Sequence, residues 1–225
     1  MSQNRGSLLP VYVLADESGS MTEHLGELNQ GLRSLHNTLL GEPMAAAKVR
    51  FSVLGFSDDV VIRVELADLR LENRLPELIT RGSTSYEAAF TALLNRLPHD
   101  INRLKSEGYK VHRPAVFFLS DGQPNLDEDW KTPHRQLTDR AVTPAAPNVV
   151  ACGIGQADPT MMLEVATEEE FALVSVPGAD LGKAISSFFM ALTKSMVESG
   201  RSLANGNAEL IVTKPEGFHM AIDEV

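Results

Sequence analysis

The sequence has little of what would tie it to a membrane, a nucleic acid or an oxidising compartment. One cysteine, Cys152, stands in 225 residues, which excludes an intramolecular disulfide and suits a small thiol packed in the apolar run from Asn148 to Gly155. Positive charge is scarce: 20 Lys and Arg against 30 Asp and Glu give a net charge of −10. That balance opposes binding to nucleic acid or to an anionic membrane, whose phosphates attract Lys and Arg. No apolar run approaches the roughly 20 residues that cross a bilayer. The polar opening from Met1 to Ser7 leads into no signal-peptide hydrophobic region, so a cytoplasmic protein is expected. Catalytic signatures are missing too. His24, His36, His99, His112, His134 and His219 stand singly, without metal-ligand spacing. Neither a phosphate-binding G-x-x-x-x-G-K-S/T loop nor a G-x-S-x-G nucleophile elbow occurs.

What is there is an ordinary globular composition, 43% hydrophobic and 22% charged, in a chain long enough for one large α/β domain. The almost continuous apolar runs Val11–Ala15, Ala115–Leu119 and Val149–Ile154 read as strands buried on both faces, with a fourth over Phe171–Val176. Helical spacing joins Leu25, Leu28, Leu32, Leu35 and Leu39, with Thr22 as the expected cap. It also joins Tyr86, Ala89, Phe90, Leu93 and Leu97, and later Leu181, Ile185, Phe188, Leu192 and Met196. A short helix is expected over Pro159–Ala166. Val49, Phe51 and Val53 alternate, as do Val60, Ile62, Val64 and Leu66, which predicts an antiparallel edge hairpin with Ser57-Asp58-Asp59 as a solvated turn. The polar stretch Pro98 to His112 reads mainly as connection, and Gln123 to Pro147 as a long excursion pinned to the domain by Trp130. Buried strands alternating with helices predict a doubly wound, mostly parallel sheet with helices on both faces and one antiparallel edge strand.

Three segments carry chemistry. The first is Asp16-Glu17-Ser18-Gly19-Ser20, where the first strand runs out into a loop. Asp16, Ser18 and Ser20 present oxygens at alternate positions, and Gly19 lets the loop bend so that they can converge on a hard cation. The second is Gly82-Ser83-Thr84-Ser85 before a helix, and the third is Ser120-Asp121-Gly122 at the end of a central strand. Ligands of open α/β sheets bind at the carboxyl ends of strands, which is where Asp16 and Asp121 fall. Taken singly, Ser18, Ser20 and Thr84 read as helix caps and loop-amide acceptors. Their occurrence together with two strand-end aspartates favours a site. Met21 can contact a partner beside that site or be buried over the helix start, and His24, close by, is expected to face solvent.

In order and spacing these segments resemble the von Willebrand factor A-type domain, over roughly residues 8–198. The resemblance implies a three-layer α/β sandwich and a metal-ion-dependent adhesion site formed by Asp16, Ser18, Ser20, Thr84 and Asp121. The opening Leu9-Pro10-Val11-Tyr12 and the run Asp16-Glu17-Ser18-Gly19-Ser20-Met21 are similar to the bacterial TerY type, linked to tellurite resistance. That likeness implies a stress-system interaction protein associated with a protein kinase or a PP2C-like phosphatase. Ser83, where relatives often have glycine, and the proline-rich segment after Asp121 depart from the family pattern.

Mg2+ takes six oxygens and keeps waters, so the hydroxyls are expected to bind it directly and the two carboxylates through water; Mn2+ or Ca2+ are the substitutes. The cation's open position would take a Glu or Asp from a partner protein. Two rival readings remain: a structural subunit docking through helix faces or the tail from 199 to 225, and a phosphohydrolase. The second would need a carboxylate two residues after Asp16, where Ser18 stands. The tail itself, with the strand-like Leu210-Ile211-Val212, is expected to fold back, to be disordered, or to pair with another chain.

Overall fold

In the computed structural model, which describes residues 5–221, the apolar runs form an eight-stranded sheet. Its strands are β1 (Ser7–Asp16), β2 (Val49–Phe56), β3 (Val60–Ala67), β4 (Lys110–Val111), β5 (Ala115–Ser120), β6 (Asn148–Gly153), β7 (Ala172–Ser175) and β8 (Phe218–Met220). The order is β3-β2-β1-β5-β6-β7-β8, and the two-residue β4 lies beside the start of β1. Strands β2, β1, β5, β6 and β7 are parallel, while β3 and β8 run antiparallel at the two edges. The predicted mostly parallel sheet is therefore present, with a second antiparallel edge contributed by residues 218–220.

Helices cover both faces. On one lie α1 (Leu25–Leu40), the short α2 (Pro43–Ala46) and α6 (Leu181–Ala204); on the other lie α3 (Tyr86–Ser106), α4 (Lys131–Thr138) and α5 (Pro159–Val165). The pleat of β1 divides its side chains between the two layers, as alternation along a strand requires. Leu9, Val11, Val13 and Ala15 join the α1 and α6 core, and Leu8, Tyr12 and Leu14 join the α3 core. Cys152 is buried in the first of these cores.

Four local expectations are corrected. The chain after β1 makes a 3-10 helix over Gly19–His24 before α1 begins, and the Thr22 hydroxyl bonds back to the Gly19 carbonyl instead of capping α1. Pro98 does not end α3, because Ile101 and Leu104 continue the buried stripe of Leu93 and Leu97 for two more turns. The alternation Val60, Ile62, Val64, Leu66 is broken by a bulge: Leu54 pairs with Ile62 and Val53 with Val64, so Arg63 is an extra residue. Ile62 is consequently 39% exposed while Val64 and Leu66 are buried. Leu210, Ile211 and Val212 form no strand; the backbone of Ile211 and Thr213 bonds the buried hydroxyls of Ser199 and Ser195 on α6. Trp130 is buried against Tyr86, Phe90 and His134, holding the 123–147 segment to α3.

Candidate metal centre

All five predicted oxygen-bearing residues lie at the carboxyl end of the parallel sheet. Asp16, the last residue of β1, has no solvent exposure. One of its carboxylate oxygens accepts from the Ser18 amide at 2.8 Å and the other from the Ser120 hydroxyl at 2.6 Å. The Ser18 and Ser20 hydroxyls are 3.0 Å apart, and Ser20 donates to Asp121 at 2.8 Å. A chain of oxygens thus runs from Ser18 through Ser20 to Asp121. Thr84 closes the far side: a Cβ placed on Gly122 would lie 3.8 Å from its hydroxyl.

Burial pushes the Asp16 carboxyl up to about 6, because a charge out of water is costly. The hydrogen bonds from Ser120 and Ser18 pull it back, and the neighbouring charge of Asp121 pushes it further up. Among the described residues neither Asp16 nor Asp121 has an ion pair with Lys, Arg or His, and their partners are hydroxyls and one amide. No group of three or more His, Cys, Asp or Glu able to hold a metal occurs among the described residues. The donor set here is instead two carboxylates and three neutral hydroxyls, which fits a hard divalent cation.

Several residues that hold this arrangement were not foreseen. Glu17, also without solvent exposure, is gripped by two arginines. Arg63 donates to its two oxygens at 2.8 and 2.9 Å, Arg81 donates at 2.8 Å, and the Ile79 amide adds a bond at 3.2 Å. Gly55 makes room, since a Cβ there would overlap the Glu17 carboxylate. The bulge at Arg63 is what puts that guanidinium in reach.

The Thr84 loop is fixed from three sides. Gly19 donates its amide to the Gly82 carbonyl at 3.0 Å, the Gly82 amide bonds the buried Ser57 hydroxyl at 2.7 Å, and Asp58 accepts from both the amide and the hydroxyl of Ser83. The Ser57-Asp58-Asp59 turn keeps both aspartates exposed, as expected, and is also a clamp, with Asp59 paired to Arg81. Ser83, the departure from the family pattern, is the residue it clamps. On the other side Asn125 exchanges backbone and side-chain bonds with Thr84, and Glu128 accepts from the Ser85 hydroxyl and the Tyr86 amide at the start of α3. Met21 is buried, and His24 is half-buried with its Nδ1 enclosed and unpartnered among the described residues, which corrects the solvent-facing expectation.

A family model for the von Willebrand factor type A domain matches residues 11–123, half of the chain and the half that contains all five residues. The chain belongs to the von Willebrand factor type A family. Solved structures agree in fold. Proximal thread matrix protein 1 from the mussel byssus is 18% identical, with a TM-score of 0.57 over 85% of this chain and 48% of that one. The same protein has been solved with a zinc-occupied MIDAS motif. The pilus adhesin SpaC from Lactobacillus rhamnosus GG, in its open conformation, is 13% identical, with a TM-score of 0.64 over 88% of this chain and 31% of that one. This von Willebrand factor A domain spans less than half the length of either of those chains. No curated protein matches it in sequence. No helix among the described residues is long and apolar enough to cross a membrane.

Proposed function

We propose that the chain is a non-enzymatic, metal-dependent protein-binding module. Asp16, Ser18, Ser20, Thr84 and Asp121 hold a divalent cation, and a partner protein supplies a Glu or Asp to it. The observation that carries this reading is the uncompensated charge of Asp16 and Asp121, joined through the hydroxyls of Ser18 and Ser20 and lacking any cationic side chain among the described residues.

Bound, the cation would offer a strongly electrophilic coordination position to an anionic oxygen. The chain's own part is positional: Ser120 and the Ser18 amide orient Asp16, Ser20 orients Asp121, and the clamped 82–84 loop brings Thr84 to the same place. Mg2+ suits an all-oxygen donor set best, with Mn2+ or Ca2+ as substitutes. The zinc in the mussel protein's motif adds a fourth ion worth titrating. Ser18, standing where aspartyl phosphotransfer would need a second carboxylate, supports binding over catalysis. The likeness of residues 16–21 to the TerY type supports a role as a cytoplasmic adaptor in a bacterial stress system with a kinase or a PP2C-like phosphatase as partner.

The test is a calorimetric titration of Mg2+ into the wild type, Asp16→Ala and Asp121→Ala, followed by affinity capture from lysate in Mg2+ and in EDTA. Saturable binding lost in both variants, with a partner retained only by the wild type in Mg2+, is expected. Equal Mg2+ affinity in all three proteins, or a partner indifferent to EDTA, would overturn the reading.

A further inference from the structure

The opposite end of the sheet carries the opposite charge. There, at the amino ends of β5 and β6, two cavities of about 350 and 270 Å3 share His112 and Arg113 as a common wall. The larger is apolar on two sides, with Pro98 and Ile101 of α3 facing Pro144 and Ala145, and Lys105 also lines it. The smaller is lined by Arg140 and Asn148.

This is an unusual gathering of cations for a chain of net charge −10, and among the described residues no carboxylate pairs with it. Among the described residues Lys105, Arg113 and Arg140 make no ion pair, and Glu209, the acidic residue of the smaller cavity, pairs with none of them. Arg113 reaches only the Ala146 carbonyl. Its guanidinium is held below its ordinary range by burial and by the like charge of Arg140. The Nε2 of His112 is enclosed without a hydrogen-bond partner among the described residues, and burial together with Lys110 keeps the ring toward its neutral form. The partly buried Arg113 and the orphaned imidazole nitrogen of His112 would gain from an anion, and the exposed Lys105 and Arg140 would add to its attraction.

We infer that this cleft binds a small organic phosphate, its dianionic head against His112 and Arg113 and its apolar body between the Pro98–Ile101 and Pro144–Ala145 walls. Arg113 on the shared wall, with Lys105 in the larger cavity and Arg140 in the smaller, matches a dianion better than a monoanion, and a cavity of 350 Å3 lies at the small end of ligand sites. The site is separate from the metal loops and stands or falls without them.

The test is calorimetric titration of the full chain with phenyl phosphate, inorganic phosphate and phenol at matched ionic strength. It uses the wild type, Asp16→Ala, and the double variant Lys105→Gln with Arg140→Gln, whose side chains are exposed and carry no hydrogen bond. Saturable binding of phenyl phosphate, tighter than either control, unchanged in Asp16→Ala and weakened at least tenfold in the double variant, is expected. No binding, equal binding of inorganic phosphate, or full affinity in the double variant would each overturn the inference.

Discussion

Asp16 and Glu17 are adjacent carboxylates, both without solvent exposure, and the protein treats them in opposite ways. Glu17 meets two guanidiniums and an amide, so its counter-charge is part of the fold. Asp16 meets two hydrogen-bond donors and no cation among the described residues. A buried carboxylate that brings its own arginines is structural, and breaking such a pair leaves charges stranded. One that is hydrogen-bonded but unneutralised sits in a place where an external cation is favourable. The difference separates the residue that holds the loop from the residue that serves it.

The comparison can be broken most forcefully at Glu17. Glu17→Ala strands two partly buried guanidiniums and is expected to cost about 3–5 kcal/mol in urea unfolding, as loss of one partner of a buried ion pair does. Asp16→Asn removes the same charge one residue away and should leave the metal-free protein at least as stable as the wild type at pH 7. The same variant should lose the Mg2+-dependent stabilisation. In the wild type that stabilisation is expected to reach about 2.7 kcal/mol at a hundredfold excess over Kd, read as a rise in Tm. Equal destabilisation by the two variants would erase the distinction.

Ser120→Ala sharpens it further by removing a bond to the charged Asp16, at an expected cost of about 1.5–3 kcal/mol in the same unfolding assay. Gly82→Ala forces a Cβ against the exposed Asp58 carboxylate that clamps Ser83. It should lower Mg2+ affinity severalfold by shifting Thr84 while changing stability by less than about 1 kcal/mol. Asp59→Ala removes only the exposed partner of Arg81 and should stay within about 0.5 kcal/mol. A larger loss there would mean that Arg81 depends on Asp59 to hold Glu17.

Much of this was legible in the sequence because the central strands are apolar without interruption and their ends are marked by Asp16 and Asp121. What was not legible has identifiable causes. Glu17 carries no signal of its own, since nothing local announces partners 46 and 64 residues away. Arg63 was hidden by a bulge, which shifts the parity of an edge strand while leaving the apolar alternation apparently intact. Asp58 and Asp59 have turn chemistry, and only the approach of the 82–84 loop turns that chemistry into a clamp. The stretch from Pro98 reads as connection because it is mostly polar, and its two buried apolar residues, Ile101 and Leu104, are too few to announce that the α3 stripe continues. The last strand, 218–220, is too short to signal itself and exists because β7 offers it an edge.

The register of β1 has one more consequence. Asp16 stands opposite Phe56, and Ala15 stands opposite both Gly55 and Leu119, so the position of the loop is dictated by pairing on two sides at once. A slip of one residue would turn every side chain of the strand to the other layer, sending Asp16 away from Ser120 and Glu17 away from its arginines. On the proposed function, cation retention would be a proofreading signal: a chain that captured metal would have aligned its central strand correctly, and a misaligned one would have no place to put it.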